Sequence, residues 1–475
     1  MRKQLWIGGQ WREAKAYTEL KAPYRGNNIV EVPAANEEET AAAIEVAHRM
    51  CGVMRRIPAH ERAAILERVA LLLADRKEEA ARIIAEEAAK PMKYALSEVE
   101  RTVQTYKFAA EEAKRISGET IPLDAAPGGE GRIAYTVREP IGVIGAITPF
   151  NFPMNLVAHK VGPAIAAGNT VVLKPASQTP MSAYFIAELF HEAGLPSGVL
   201  NVVTGSGAIV GNKIVLDERV AMVTFTGSPE VGKSLRAKAG LKRVTLELGS
   251  NAALIIDQDA DIERIVPRCV MGAFANQGQV CISLQRIYVH EHIYESFVEQ
   301  FAEAASKLKV GDPLEMESDI SAMISPAETN RALAWILEAS SNGATVLTGG
   351  ELQNGMLAPT VITGADPGMK VSCQELFAPV VIISKVTSVN EAIALVNASK
   401  FGLQAGIYTN DLGTALQAAD ELHVGGVMIN DIPTFRVDHM PYGGVKESGT
   451  GREGLKYAVE EMTELKLVVI NRGNY

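Results

Sequence analysis

Two residues in this 475-residue chain have surroundings that suggest chemistry, a cysteine and a glutamate. Cys281 lies in NQGQVCIS, where the polar residues 276–279 favour a loop over a core. A reactive thiolate needs such polar, partly exposed surroundings, whereas a lone cysteine is more often a small buried apolar residue. We expect Cys51, Cys269 and Cys373 to be of the buried kind.

The glutamate is Glu247, in the segment TLELGSN, between apolar residues and a glycine turn. Burial would raise the pKa of a carboxyl group there and suit it to act as a general base. The same position suits a salt-bridge partner equally well. Composition alone leaves both roles open.

Three further segments could bind a phosphate-containing ligand. Gly207 and Gly211 belong to GSGAIVG, one residue longer than the dinucleotide fingerprint and without its acidic residue, so a turn that needs small residues explains it as well. Lys174 precedes Pro175 at a predicted strand end, a weak signal alone. Gly227-Ser228 precedes a predicted helix, whose first amides would suit a pyrophosphate.

Short apolar strands alternate with helical patterns in the middle of the chain, which indicates a parallel sheet covered on both faces. The predicted strands are 142–149, 169–175, 199–205 and 221–227. Ligands of such sheets bind at the carboxyl ends of the strands. We therefore expect the residues that follow these strands to converge on one crevice.

A second alternation of strands and helices begins after Leu248 and predicts a second α/β domain. Residues 131–139 and 464–472 are β-rich without belonging to a βαβ unit, which indicates pairing outside their own domain. The N-terminus predicts a hairpin turning at Gly8-Gly9, then helices, of which one runs from about Ala59 to Pro91.

Composition excludes several classes of protein. The net charge of −10 and the absence of a Lys/Arg cluster argue against a nucleic-acid partner. No apolar stretch is long enough for a signal peptide or a membrane span. The 4 cysteines are scattered, without a CxxC pair or a disulfide framework, so we expect a cytoplasmic protein with no metal site.

Seven motifs taken together resemble the aldehyde dehydrogenase superfamily, in its order and over nearly the whole chain. They are PFNFP (149–153), GNTVVLKPASQTP (168–180), FTGS (225–228), LELG (246–249), NQGQVC (276–281), ELFAPV (375–380) and PYGGVKESGTGREG (441–454). The resemblance implies an α/β fold with a Rossmann-like cofactor domain (1–118 and 140–248), an α/β catalytic domain (249–445) and a small β oligomerisation arm (119–139 and 460–475). A homodimer or homotetramer is the implied assembly.

The resemblance also implies a mechanism. Cys281 matches the nucleophile that forms a thiohemiacetal with the aldehyde, and Asn151 matches the amide that helps bind its oxyanion. Glu247 lies 34 residues before Cys281, as in hydrolytic members, and matches the base that activates water. Lys160 matches a lysine assigned to a proton relay. Relatives that transfer the acyl group to coenzyme A generally lack the glutamate, so a free acid is the expected product.

For the cofactor, NADP or NAD, Lys174 matches the lysine that binds the adenosine ribose, and Glu375 with Phe377 match the nicotinamide-ribose pair. NAD-selective members often have Glu where this chain has Ser177, so NADP use is favoured. Ser250 replaces a usual glycine, without an assigned role. The other positions expected around the cofactor are Thr148, Pro149, Phe150, Gly207, Gly211, Thr226, Gly227, Ser228 and Leu248.

For the substrate, the C-terminal motif resembles the subgroup of lactaldehyde dehydrogenases, which act on small hydroxylated or anionic aldehydes. The expected lining of the substrate tunnel is Arg101, Tyr106, His159, Arg436 and His439. These side chains could instead make structural bonds between domains. Glyceraldehyde 3-phosphate, oxidised without phosphorylation, succinic semialdehyde and sulfolactaldehyde are alternative substrates, and a non-catalytic binding protein is the alternative class.

Overall fold

The computed structural model describes residues 2–473 of the chain. The last two residues of the predicted arm, 474 and 475, lie outside the described residues. Within the described part, the chain forms two large mixed α/β layers, one small three-stranded antiparallel sheet and three two-stranded pairs.

The first large sheet has 8 strands, of which the central five are parallel. In spatial order the strands are Gln10–Arg12, Leu5–Ile7, Leu200–Val202, Thr170–Lys174, Val143–Ile147, Val220–Thr226, Arg243–Glu247 and Gly449–Thr450. The predicted N-terminal hairpin supplies one antiparallel edge, and Gly449–Thr450 supplies the other. The four strands predicted in the middle of the chain are all present.

The helices around this sheet bury its two faces in separate apolar clusters, as a parallel sheet requires. They are Glu37–Met54, Ala59–Asp75, Lys77–Ala88, Met92–Ala113, Asn155–Ala167, Pro180–Glu192, Asn212–Leu216, Pro229–Lys238 and Leu455–Glu461. The first begins with a capping box, in which Asn36 and Glu39 each accept from the other's backbone N–H.

The long helix predicted from Ala59 is two helices. Its backbone leaves the helical region at Arg76, where φ is −107° and ψ is 29°. The Arg76 guanidinium lies 4.5 Å from the centre of the Phe185 ring, on a neighbouring helix. The apolar periodicity continues across this break, which is why the sequence alone did not reveal it.

The second large sheet has 7 strands, all parallel except for one edge. In spatial order they are Thr345–Thr348, Thr360–Thr363, Val380–Val386, Arg286–His290, Ala253–Ile256, Gln404–Tyr408 and Gly426–Ile429. The helices that flank it are Ile262–Phe274, Tyr294–Ser306, Pro326–Ser341, Lys370–Cys373, Val389–Asn397 and Leu412–Glu421. Three small antiparallel pairs lie outside these sheets: Tyr17–Lys21 with Asn28–Pro33, Leu352–Gln353 with Met356–Leu357, and Phe401–Gly402 with Val445–Lys446.

The third sheet joins the two β-rich segments that belong to neither large sheet. Thr463–Asn471 pairs antiparallel with Arg132–Pro140 along its whole length, and Thr120–Ile121 pairs on the far side. The strand Thr463–Asn471 is therefore an edge, and most of its residues are exposed. Its composition and position fit the predicted oligomerisation arm; the domain boundaries drawn from the sequence stay a prediction.

Candidate active site

The ends of four adjacent parallel strands form the floor of the site. Register pairs Ile147 with Lys174 and with Phe225, and Thr226 with Glu247, so these strands end at the same level. The residues that follow them therefore line one edge of the sheet, as the sequence predicts.

Cys281 approaches this edge on a loop from the second α/β layer, after the helix Ile262–Phe274. The sequence predicts that its polar neighbours are exposed, and this is wrong: Asn276, Gln277 and Gln279 are all buried. The Gln277 amide donates to the carbonyls of Ala89 (2.8 Å) and Ala322 (2.9 Å). These hydrogen bonds satisfy buried backbone carbonyls that have no partner in a helix or sheet. Leaving such carbonyls unpaired would cost free energy.

The backbone at the centre of this loop is left-handed at three consecutive residues. Asn276 and Gln277 have φ of 52° and 56°, and Gly278 has φ of 66°. A Cβ at Gly278 would lie 2.0 Å from the Ala378 carbonyl oxygen, so only glycine fits. The close packing fixes the cysteine loop against the segment that carries Glu375 and Phe377.

The Cys281 side chain borders a cavity of about 120 Å³, which Arg101, Phe152, Arg436 and Tyr442 also line. Its Sγ lies 2.8 Å from the Tyr442 hydroxyl oxygen. Burial raises the pKa of the thiol to about 11, although the Tyr442 hydrogen bond and the Arg436 charge oppose the shift. Of the other cysteines, Cys269 is buried as expected. Cys51 and Cys373 are only half-buried.

Asn151 follows the strand Val143–Ile147 and is buried. Its side-chain amide donates to the Gln279 carbonyl at 2.9 Å, and its own carbonyl accepts from the Asn276 amide at 3.2 Å. These bonds tie Asn151 to the cysteine loop and use one of its two amide hydrogens.

Glu247 ends the strand Arg243–Glu247 and is fully buried. Neither of its carboxylate oxygens has a hydrogen-bond partner among the described residues. Burial raises the pKa of this carboxyl well above its usual value, and the negative charge of Glu453 raises it further. A salt-bridge role for Glu247, the alternative from sequence, has no support because no cation is in contact with it in residues 2–473.

A buried ion cluster lies beside these groups. Glu453 accepts from Lys160 Nζ at 3.1 Å and from Arg436 at 2.9 Å, and all three side chains are buried. Lys160 also donates to the Thr224 hydroxyl at 3.1 Å. Burial opposes the charge on Glu453, yet Lys160 and Arg436 outweigh it and hold the pKa of Glu453 below its usual range.

The cluster continues through His159 to Asp438. His159 Nε2 lies 3.2 Å from Arg436 and 2.9 Å from Asp438, and Arg101 forms a two-pronged bond with Asp438. Asn155 donates to the same carboxylate at 3.0 Å. Burial and the Arg436 charge lower the pKa of His159, so the neutral imidazole is favoured.

A second buried ion pair borders the cavity, between Lys90 and Glu98. Lys90 Nζ lies 3.7 Å from the centre of the Phe152 ring. Glu98 also accepts from the backbone N–H groups of Met154 (2.9 Å) and Asn155 (3.1 Å). Glu98 therefore fixes the start of the helix that follows Asn151.

The residues expected to bind the cofactor lie along the opposite part of the same edge. Lys174 is buried, which lowers the pKa of its ammonium group to about 8, and its only hydrogen bond among the described residues is to the Pro175 carbonyl at 3.1 Å. The Ser177 hydroxyl is exposed and donates to the Gly205 carbonyl at 3.2 Å. A Cβ at Gly207 would meet nothing within 4 Å, and one at Gly211 would lie 4.0 Å from the Lys174 side chain.

Two groups that suit a phosphate ligand lie at the end of the strand Val220–Thr226. Ser228, which follows Gly227, caps the helix Pro229–Lys238. The Thr226 hydroxyl at the strand end is buried and has no partner among the described residues. An unused polar atom beside a helix N-terminus fits a nicotinamide dinucleotide, whose pyrophosphate such a terminus binds. Of the remaining predicted positions, Thr148 and Leu248 are buried at strand ends, and Pro149 is half-buried.

Glu375 and Phe377 lie where the two layers meet. Glu375 is half-buried, and desolvation raises the pKa of its carboxyl to about 7, although it accepts from the Ser250 N–H at 2.8 Å. A Cβ at Gly249 would lie 2.2 Å from Glu375 Oε2. The Phe377 ring meets the Phe150 ring edge-on at 5.8 Å.

Three of the five residues expected in the substrate tunnel do not line the cavity. Tyr106 is fully buried in the helix core, its ring 5.4 Å from that of Phe190. His159 lies behind Arg436, and His439 packs against Phe108 at 4.7 Å. The sequence predicted that they lie near the cysteine. Tyr106 instead lies on the face of its helix that packs against the core. Arg101 and Arg436 do line the cavity and also form the bonds described above.

Sequence reasoning missed three residues of this site. Tyr442 and Glu453 lie inside the quoted C-terminal motif but were not singled out, and Asp438 precedes it. The signal for Glu453 and Asp438 was that each lies within two residues of an arginine, Arg452 and Arg436 respectively. The contact of Tyr442 with Cys281 joins residues 161 positions apart and had no sequence signal.

The fold and this site define a class of enzyme, in which a cysteine, a carboxylate and a dinucleotide crevice meet between two α/β layers. The chain belongs to the aldehyde dehydrogenase family, since residues 11–468 match that family's sequence profile. It is similar to a 3-sulfolactaldehyde dehydrogenase from Priestia aryabhattai, with 47% identity over 98% of both chains. It is also similar to a lactaldehyde dehydrogenase from Methanococcus aeolicus, with 41% identity over 98% of this chain and 100% of the relative.

The fold is shared with a solved structure of the glyceraldehyde-3-phosphate dehydrogenase GapN from Methanocaldococcus jannaschii, complexed with NADP. The TM-score is 0.93 at 40% identity, over 96% of this chain and 100% of that one. These similarities confirm the predicted fold class and the predicted enzyme class, an NAD(P)-dependent aldehyde oxidoreductase. Among residues 2–473, no helix combines the length and apolar character needed to cross a bilayer.

Replacing Asp438 by Asn should lower the free energy of unfolding by about 3 kcal/mol at pH 7, because it leaves buried partners of a charge unpaired. Burial raises the pKa of Asp438, but His159 and Arg101 outweigh it and hold the pKa below its usual range. The stabilisation is thus complete above the unfolded-state pKa of about 4 and is lost as the pH falls below it.

Urea unfolding of the wild type and the Asp438→Asn variant from pH 7 to pH 3 measures this difference. Glu31→Gln, at an exposed pair with Arg2, is the control and should cost under about 1 kcal/mol. A difference that stays constant below about pH 4 would mean that folding does not lower the pKa of Asp438.

Proposed function

We propose that the enzyme oxidises a small anionic or hydroxylated aldehyde to its free carboxylic acid, with Cys281 as nucleophile and Glu247 as hydrolytic base. The observation that carries this proposal is the Glu247 carboxyl, buried beside the cysteine site with both oxygens unpartnered among the described residues. A buried carboxyl without a structural partner costs free energy and persists where a reaction needs it.

In the first step, the Cys281 thiolate attacks the aldehyde carbon and forms a thiohemiacetal. The free amide hydrogen of Asn151 and the backbone N–H of Cys281 donate to the oxygen that becomes negative. A donor aimed at this oxygen lowers the activation barrier by about 3 kcal/mol. A nicotinamide dinucleotide held by Lys174, Ser228 and Glu375 would supply the hydride acceptor, and loss of hydride from the thiohemiacetal carbon would leave a thioester to Cys281.

Hydrolysis of the thioester needs a base, because the acyl group must be transferred to water. Glu247 takes a proton from the water as the water attacks, and its raised pKa makes the carboxylate a stronger base than an exposed one. Lys160 is paired with Glu453, whose negative charge raises the Glu247 pKa, and the Lys160 charge itself lowers that pKa. We propose this electrostatic link as the role of Lys160 in the proton relay.

Replacing Glu247 by Gln should leave a rapid burst of NAD(P)H, of about one equivalent per site, and slow the steady state by a factor of about 100 or more. The amide can still fill the space but cannot accept the proton from water. Stopped-flow absorbance at 340 nm measures both phases.

Cys281→Ala is the companion variant and should abolish the burst and the turnover together. A Glu247→Gln enzyme with the full steady-state rate would exclude Glu247 as the base. A Cys281→Ala enzyme that retained a burst would exclude the covalent mechanism.

The anionic class of substrate follows from the cations of the cavity. Arg101 and Arg436 both line it, and the Arg101 side chain is 28% exposed while its partner Asp438 is 4% exposed. A guanidinium with free N–H groups binds carboxylate, phosphate or sulfonate oxygens in pairs. The similarity to the sulfolactaldehyde and lactaldehyde enzymes supports this class. Glyceraldehyde 3-phosphate and succinic semialdehyde remain alternatives within the class.

Replacing Arg101 by Met should reduce kcat/KM for anionic aldehydes by a factor of about 10 to 100, the value of a hydrogen bond to a charged group. Propionaldehyde, which has no charge, should lose far less. A panel of aldehydes bearing sulfonate, phosphate, carboxylate or no charge, each with both cofactors, measures the difference.

Lys107→Met is the matched control, since Lys107 is an exposed cation on the same helix that does not line the cavity. An equal loss for charged and uncharged aldehydes in the Arg101 variant would contradict anion binding and indicate a structural role.

For the cofactor, we propose that NADP is accepted and favoured over NAD. Ser177 puts no carboxylate beside Lys174, so the 2′-phosphate of NADP meets a cation without repulsion. NADP in the similar GapN structure supports the proposal. Ser177→Glu should shift the ratio of kcat/KM toward NAD, and strong NAD selectivity in the wild type would contradict it.

For the assembly, we propose a homodimer or homotetramer in which a second copy covers the edge strand Thr463–Asn471. Leu465, Leu467, Val469 and Ile470 on this strand are large, apolar and exposed, which is unusual for a monomer surface. Sedimentation velocity tests the proposal, and a monomer at micromolar concentration would contradict it.

The 4 free cysteines fit a reducing compartment, and we propose the cytoplasm.

A further inference from the structure

Tyr442 is the one side chain among the described residues that is hydrogen-bonded to the Cys281 sulfur. The phenol is 3% exposed and enters the cavity wall from the loop that follows Asp438. Its hydroxyl oxygen lies 2.8 Å from Sγ and has no other hydrogen-bond partner in residues 2–473. The sulfur is therefore the one group to which this hydroxyl is hydrogen-bonded among the described residues.

The other face of Tyr442 is held by a cation. The Arg436 guanidinium carbon lies 3.7 Å from the centre of the phenol ring, and Arg436 is fixed in turn by Glu453. A cation against the ring withdraws electron density and makes the hydroxyl a stronger donor. Burial raises the pKa of Tyr442 well above its usual value, so the phenol keeps the proton that it donates.

We infer that Tyr442 is a positioning residue for catalysis, whose hydroxyl donates a hydrogen bond to the Cys281 thiolate and stabilises it before the aldehyde is attacked. The inference rests on the proposed role of Cys281 as nucleophile. The sulfur otherwise lies in a wall formed largely by Phe152, Val280 and Ile282, where a thiolate is poorly solvated. Without this donor, the thiol would ionise only at higher pH.

Tyr442→Phe tests the inference, because it removes one oxygen and keeps the ring under Arg436. Iodoacetamide alkylation of Cys281, followed by peptide mass spectrometry without cofactor or aldehyde, reports the thiolate directly. The midpoint of the rate against pH should rise by about one unit, which is a tenfold lower rate at neutral pH. The kcat/KM for aldehyde should fall by a similar factor at neutral pH and recover as the pH rises.

Tyr106→Phe is the matched control, since it removes a hydroxyl that is also fully buried but lies in the helix core, outside the cavity. It should leave the alkylation midpoint unchanged. An unchanged midpoint in Tyr442→Phe would overturn the inference, whatever happened to turnover, because a purely structural role would lower rates without moving the pH dependence. Loss of the proposed function would show differently, as turnover that survives in Cys281→Ala.

Discussion

The structure depends on pairing several buried charges next to the Cys281 sulfur. Glu453 is the centre of this arrangement, because it accepts from both Lys160 and Arg436, and Arg436 in turn packs on Tyr442. Moving such groups out of water is costly, so each must find a partner of opposite charge. The partners come from a helix of the first layer and from the C-terminal loop, so the ion cluster also joins these parts of the fold.

The same burial sets the acid–base properties of the site. Low polarity raises the pKa values of Cys281 and Glu247, the two groups that we propose to react, while the paired Glu453 stays ionised. Groups with an ionic partner are thereby held in one charge state, and groups without an ionic partner are left able to change theirs. The distinction between structural and reactive carboxylates is a matter of partners, since both kinds are buried.

Much of the first layer was predictable. Short apolar strands that alternate with helices allow few arrangements, and the parallel sheet places the residues after Ile147, Lys174, Thr226 and Glu247 at one edge. The motifs that follow these strands predict the nucleophile, the base and the cofactor crevice, and the structure places those residues along this edge. Helical periodicity did not predict the break at Arg76, because the apolar residues keep their helical spacing on both sides of it.

The sequence by itself determined the family, the fold class and the residue types that could react, because these depend on local patterns and on motif order. Only the tertiary structure decided what surrounds them. It buried the polar residues beside Cys281, which satisfy distant backbone carbonyls, moved Tyr106 into the core and brought Tyr442 to the sulfur. Burial and side-chain partnership arise from contacts between segments far apart in the chain, and a linear sequence does not display those contacts.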